Sequence, residues 1–134
     1  MIPYVHEVKY YECDRMGVTH HSNYIRIMEE ARVYVQDQLG YGFEKMEAEG
    51  VVSPVTALSC EFKKTTTFKD RIEVNLKVKE MSPLKITFSY IMKVGEAIVF
   101  KGTSTHCFID TATGRPVVMQ ERWPELFSKL QELC

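Results

Sequence analysis

At 134 residues and 45% hydrophobic side chains, the chain can bury about two-thirds of its unfolded surface in one core without disulfide or metal support. Lys and Arg number 17 against 18 Asp and Glu, a net charge of -1, which excludes an overall basic field for nucleic acid and any long disordered charge run. The opening Met1-Ile2-Pro3-Tyr4-Val5-His6-Glu7 has no signal-peptide pattern, and apolar runs such as Ala97-Ile98-Val99-Phe100 are too short to cross a bilayer. Four dispersed cysteines without a Cys-x-x-Cys pair favour reduced thiols, so a cytoplasmic protein with no membrane insertion is expected.

No repeat, low-complexity tract or linker divides residues 1–134, which predicts a single domain. Residues 4–12 read as a first strand. From 23 to 39 the period becomes helical: Tyr24, Ile27, Met28, Ala31, Tyr34, Val35 and Leu39 form one apolar stripe, opposite Arg26, Glu29, Glu30, Arg32, Gln36 and Asp37. Arg26 and Glu30 stand at i,i+4, Ser22 or Thr19 is placed to cap the start, and Gly40 suits the stop. A short helical turn follows near 43–49.

Residues 51–64 then read as a strand whose beginning Pro54 confines to an edge or bulge. Ile72, Val74, Leu76 and Val78 alternate with polar residues, as do Leu84, Ile86, Phe88, Tyr90 and Met92, with Ser82-Pro83 turning between them. Gly95-Glu96 turns into a strand over 97–109, completing a meander, and a helix over 121–133 closes the chain. About 17 helical residues span roughly 25 Å, close to the length of an eight-residue strand, roughly 27 Å. The expected architecture is α+β, a curved five-stranded antiparallel sheet wrapped around one long central helix. Its open edges invite pairing with a second copy.

The junction Tyr11-Glu12-Cys13-Asp14-Arg15-Met16-Gly17-Val18-Thr19-His20-His21-Ser22-Asn23-Tyr24 carries the chemistry. A carboxylate leaves a strand end, Gly17 permits a tight turn, and a helix start supplies free N–H groups that attract an anion. An acid beside such donors is the arrangement acyl transfer needs, although a loop Asp by itself also serves turns and caps. Glu12 reads as a solvated or structural acid on the face opposite Cys13, and Tyr24 as core or pocket wall. Cys13 has no evident His or Asn partner for nucleophilic work. His20-His21, His6, His106 and the cysteines have no zinc-type spacing, so no metal is expected.

Asp14-x-x-Gly17-Val18-x-x-His21-x-x-Tyr24, followed by Glu29-Glu30-Ala31-Arg32, resembles the signature of the 4-hydroxybenzoyl-CoA thioesterase family, which includes the Tol-Pal-associated type. The resemblance extends over 64–72 and over Asp110-Thr111-Ala112-Thr113-Gly114-Arg115-Pro116. It implies a hotdog fold and hydrolysis of an acyl-CoA to CoA and a free acid, at sites lying between two copies in a dimer or dimer of dimers. By that resemblance Asp14 matches the catalytic acid, as nucleophile or general base, His21 the position whose backbone N–H polarises the thioester carbonyl, and Gly17 the turn. A side-chain role for His21 stays open beside packing or capping. Thr19, His20 and Thr65 depart from the family's commoner apolar, aromatic and Pro residues. Lys63, Lys64, Lys69 and Arg71 read either as a solvated strand end or as a clamp on CoA phosphates, with Tyr24 beside the acyl group. CoA would belong to the substrate, and no cofactor is implied. The rival activities are a non-catalytic acyl-CoA-binding protein and a hotdog enoyl-CoA hydratase or dehydratase, which would place a His and a carboxylate at the acyl α/β carbons.

Overall fold

The computed structural model describes residues 3–134; the opening Met1-Ile2 lies outside them. The elements in chain order are β1 (Tyr4–Glu7), α1 (Ser22–Gln38), α2 (Phe43–Ala48), β2 (Val51–Val52), β3 (Val55–Phe62), β4 (Arg71–Met81), β5 (Ile86–Val94), β6 (Ala97–His106), β7 (Ile109–Asp110), α3 (Met119–Arg122) and α4 (Pro124–Gln131).

Helix α1 forms where the stripe predicts it, and Tyr24, Ile27, Met28, Ala31 and Val35 are buried in the core. The stripe is wider than its apolar residues indicate. Arg32 and Gln36, expected on the solvated face, are buried at 6% and 7% exposure. Each directly follows a stripe residue, so a 100° step leaves it at the stripe's flank. That flank is covered: Gln36 Nε2 reaches the Tyr41 carbonyl and Met46 Sδ of α2, while Arg32 reaches into the sheet. Neither Ser22 nor Thr19 caps α1; His21 occupies the cap position without a side-chain bond, and the hydroxyl of Thr19 is engaged elsewhere. The expected Arg26–Glu30 pair is absent among the described residues, because Glu30 accepts from Tyr4 Oη at 2.7 Å instead. At the other end Gly40, at φ +82°, lets its N–H reach the Asp37 carbonyl and that of Tyr41 the Gln36 carbonyl, the double bond of a Schellman stop.

The sheet is antiparallel and five-stranded in the order β1-β4-β5-β6-β3. Strands β4, β5 and β6 form the expected meander, and Ile72, Val74, Val78, Ile86, Phe88, Tyr90 and Met92 are buried by the period-two alternation. Leu84 lies exposed in the turn before β5, and the strand expected over 97–109 ends at His106, leaving Ile109 to β7. Three further boundaries differ from expectation. Strand β1 stops at Glu7 and gives way to a 3₁₀ turn over Tyr10–Glu12. Pro54 cuts the second strand in two: β2 leaves the main sheet to pair with β7, while β3 becomes an edge with a register shift between Val55 and Ala57. Pro124, which cannot donate to a preceding turn, splits the terminal helix into α3 and α4 around Trp123. Four α-helices therefore accompany the sheet among the described residues, of which only α1 is long.

A polar seam runs through this core. Arg32 Nη1 donates to Tyr90 Oη at 3.1 Å and to Ser104 Oγ at 3.5 Å; Tyr90 Oη and Ser104 Oγ lie 2.6 Å apart, and Ser104 Oγ lies 2.8 Å from His106 Nε2. Burial first, then the Arg32 charge, pushes His106 down from 6.5 to about 4, against a smaller opposing bond to the Ser53 backbone. Its imidazole is thus neutral at neutral pH and titrates normally once unfolded. Between about pH 4 and 6.5 the unfolded chain holds more protons on His106, so stability rises with pH across that window and is flat above it. The wild-type protein should lose on the order of 3 kcal/mol from this group as pH falls through the window. Urea unfolding of wild type and His106→Gln at pH 4 to 8 checks this: the difference in their pH slopes should appear below 6.5, and identical slopes would refute it.

Candidate functional site

The chain leaves β1 with Val8 still tied to the strand-entering segment, its N–H to the Asp70 carbonyl at 2.9 Å and its carbonyl to Lys69 N at 3.0 Å. The 3₁₀ turn then brings Glu12 inward rather than to solvent. Its carboxylate accepts from Lys9 N at 2.6 Å and lies 2.8 Å from His6 Nε2, whose Nδ1 is 3.0 Å from Glu30. Meanwhile the Glu12 carbonyl accepts from His20 N at 2.8 Å and Asn23 Nδ2 at 2.9 Å, fixing where α1 begins.

Between these points a small loop presents Asp14. An isolated bridge between Cys13 and Thr19 closes the loop, with Asp14 N donating to the Val18 carbonyl at 2.9 Å. Gly17 N–H returns to the Asp14 carbonyl at 3.0 Å with φ at +77°; a Cβ there meets nothing within 4 Å, so glycine is required by conformation and not by space. Met16 N–H donates to Asp14 Oδ1 at 2.8 Å, an Asx turn. No other hydrogen bond engages the half-buried carboxylate among the described residues, so Oδ2 is free.

The loop is clasped from the other side by residues 66 and 67. Thr66, 2% exposed, accepts the Thr19 N–H on its carbonyl at 2.8 Å, and its hydroxyl lies 2.6 Å from Thr19 Oγ1 and 2.9 Å from Tyr24 Oη. Thr67 Oγ1 donates to the Gly17 carbonyl at 2.7 Å.

A pocket of about 270 Å³ opens beside this loop, lined by Asp14, His21, Tyr24, Phe62, Lys63 and Lys64 among others. His21 is exposed at the head of α1, its ring centroid 4.1 Å from that of His20, and its N–H finds no acceptor among the described residues. Tyr24 is buried, its ring stacked on Phe100 at 5.1 Å, and burial pushes its phenol above 10.0. Lys63 Nζ lies 2.9 Å from Glu61, while Lys64 has no ion pair among the described residues. Five of the eight residues picked from the sequence thus meet at one pocket. Gly17 lies behind it in the loop. Lys69 and Arg71 stand apart: Lys69, at φ +73°, sits 5.4 Å over the Phe68 ring, and Arg71 Nη1 is 3.7 Å from Glu7 across the β1–β4 pair. Sequence reasoning missed Thr66, Asn23 and the His6–Glu12 contact. A polar residue ahead of an apolar strand gives no sign of being clasped to a loop 47 residues away.

Known proteins share both the sequence and the shape. Residues 8–128 match the family model described as the thioesterase-like superfamily. A protein of Aquifex aeolicus strain VF5 named "Putative esterase" is 37% identical over 106 residues, 79% of this chain and 83% of that one. The Bacillus subtilis strain 168 protein "Putative acyl-CoA thioesterase YneP" is 29% identical over 120 residues, 89% of this chain and 87% of its own length. The crystal structure of a DHNA-CoA thioesterase from Staphylococcus aureus superposes with a TM-score of 0.90 at 29% identity, covering 98% of this chain and 91% of that one. The chain belongs to the thioesterase-like superfamily, with its α+β hotdog fold and antiparallel sheet.

The clasp makes a stability prediction. Thr66→Val leaves the Thr19 and Tyr24 hydroxyls buried without their shared partner and should cost about 1–3 kcal/mol, whereas Thr66→Ser, which keeps the hydroxyl, should cost less. Urea midpoints of the two variants decide it, and a Thr66→Ser loss as large as or larger than that of Thr66→Val would show that the hydroxyl is not what holds the clasp.

Proposed function

We propose that this protein hydrolyses acyl-CoA thioesters to free acid and CoA, with Asp14 as the reacting carboxylate and the backbone N–H of His21 as the donor to the thioester oxygen. The observation that carries the reading is the meeting of a carboxylate with one free oxygen and an N–H without an acceptor at a single pocket. The names of the Bacillus and Staphylococcus relatives, an acyl-CoA and a DHNA-CoA thioesterase, support the substrate class.

The carbonyl oxygen accepts from His21 N–H, where the start of α1 favours developing negative charge. Asp14 then either attacks the carbonyl carbon or takes a proton from a water that does. The tetrahedral intermediate collapses by breaking the C–S bond, and the electron pair leaves on the CoA sulfur. If Asp14 attacked, a water cleaves the resulting mixed anhydride. A thiolate leaves readily, so the reaction needs no strong acid and no metal or redox cofactor; CoA is part of the substrate. Gly17 holds the turn that aims Asp14, Tyr24 walls the acyl side, and Lys63 and Lys64 stand where CoA phosphates would pass. Lys69 and Arg71 join the clamp only if the nucleotide end reaches the β1–β4 face. The site is completed by a second copy paired along β3, whose exposed Phe62 lines the pocket, giving a cytoplasmic dimer or dimer of dimers.

Asp14→Asn should keep the fold and lose about 10²-fold or more in turnover. Release of free thiol from a panel of short-chain, medium-chain and aromatic acyl-CoAs measures it, and full activity in the folded variant would overturn the assignment. Charge reversal at Lys63 and Lys64 should raise KM more than it lowers kcat for acyl-CoA, and much less for the matching acyl-pantetheine. Equal effects on both substrates would mark these lysines as a solvated surface.

A further inference from the structure

His6 sits between two acids. It is 7% exposed, with Nε2 2.8 Å from Glu12 Oε1 and Nδ1 3.0 Å from Glu30 Oε2. A carboxylate only accepts, so both bonds exist together only while the ring carries a proton on each nitrogen. With one of those protons gone, a ring lone pair faces a carboxylate and that contact turns repulsive. No neighbour replaces the lost bond. Ile72, the register partner on β4, is apolar, while Lys9 N and Tyr4 Oη serve Glu12 and Glu30 separately and neither reaches both.

The three residues belong to three elements: His6 to β1, Glu12 to the 3₁₀ turn and Glu30 to α1. The ring is the only link between the two carboxylates among the described residues. Glu12 in turn sets the head of the helix, its carbonyl holding His20 N at 2.8 Å and Asn23 Nδ2 at 2.9 Å. The next N–H along the chain is that of His21. We propose that His6 is a positioning residue for this donor, its doubly protonated ring holding α1 and the preceding turn so that the His21 N–H meets the Asp14 pocket. The inference rests on the hydrolase reading given above. Its sign is fixed by the bonds: turnover is present while the ring keeps both protons and falls as pH rises through the loss of one. Glu30→Gln should remove that dependence, because an amide can accept from Tyr4 and donate to Nδ1, so a ring with one proton still holds Glu12.

Thiol release from an acyl-CoA, followed from about pH 5 to 9 with spontaneous hydrolysis subtracted, brackets imidazole titration. Wild type should lose kcat rather than KM on the alkaline side, in step with the loss of one ring proton in the His6 ¹⁵N spectrum. His20 and His21 stand nearby, so the variants assign the step. His6→Gln should lack it and have kcat lower by about ten-fold or more, a misplaced donor costing less than the roughly 10²–10³ of a deleted one. Its KM should stay within about two-fold of wild type. Glu30→Gln, at a side chain 44% exposed, keeps the test alive if His6→Gln fails to fold, and its turnover should stay level across the range. An alkaline step that persists in either folded variant, an unchanged kcat in folded His6→Gln, or turnover that falls while the ring keeps both protons would each overturn the proposal. If wild type released no thiol from any acyl-CoA, the hydrolase reading would fall instead. The Asn23 side-chain amide resonance still reports the bridge in that case: it should move with the His6 ring and lose that step in His6→Gln, and a resonance that ignores the ring would overturn the bridge.

Discussion

The hydroxyl of Thr66 ties Thr19 and Tyr24 together across more than forty residues of chain, and the geometry of the site descends from that knot. Thr19 ends the small loop that carries Asp14, and Tyr24 lies in the first turn of α1. With both held to one buried oxygen, the loop and the helix start cannot drift relative to each other. A backbone bond from Thr19 N–H to the Thr66 carbonyl and a bond from the Thr67 hydroxyl to the Gly17 carbonyl add a second and third point of attachment. Loops are ordinarily the mobile part of a fold. Here a loop is fixed chiefly through the side chains of Thr19, Thr66 and Tyr24, which are shut away from water, so the bonds among them face little competition from solvent.

The helix end of the same arrangement is set by Glu12. Its carbonyl serves His20 and Asn23, while its carboxylate is occupied by Lys9 N and His6. Glu30 continues the chain to His6 and Tyr4, and burial together with Glu30 drives the Tyr4 phenol far above its ordinary value. Glu12 at the start of α1 and Glu30 near its middle therefore brace the helix against β1. Two residues beyond Glu30, on another face of the helix, Arg32 brings the opposite charge beneath the sheet, and burial together with that charge keeps His106 neutral.

Much of this could be read from residue order. The stripe from Tyr24 to Val35, the alternation of β4 and β5, the stop at Gly40 and the interruption at Pro54 each rest on local chemistry and appear where local chemistry places them. Asp14, His21 and Tyr24 were legible because the turn at Gly17 and the start of a periodic helix bracket them. What could not be read depends on partners distant in sequence. Arg32 and Gln36 look like solvated residues until α2 and the sheet close over them. Glu12 looks like a strand residue until His6 and Lys9 curl the backbone into a 3₁₀ turn. The basic cluster divides because residues 65–68 turn the chain between Lys64 and Lys69, sending one pair to the pocket and the other to β1. Nearness along the chain does not survive such a turn.

The edge strand β3 has a consequence for how the molecule behaves in a crowded solution. Val55, Leu58 and Phe62 all stand more than a third exposed along a row of backbone groups that no neighbour within the chain satisfies. Phe62 is also in edge-to-face contact with Tyr24 and Phe100, so the outer margin of the sheet and the wall of the pocket are one aromatic cluster. An uncovered margin of this kind is a template for indiscriminate strand addition, and hence for aggregation. A polar substitution at Phe62 that makes β3 more soluble will therefore trade against the shape of the pocket, because that one ring belongs to both.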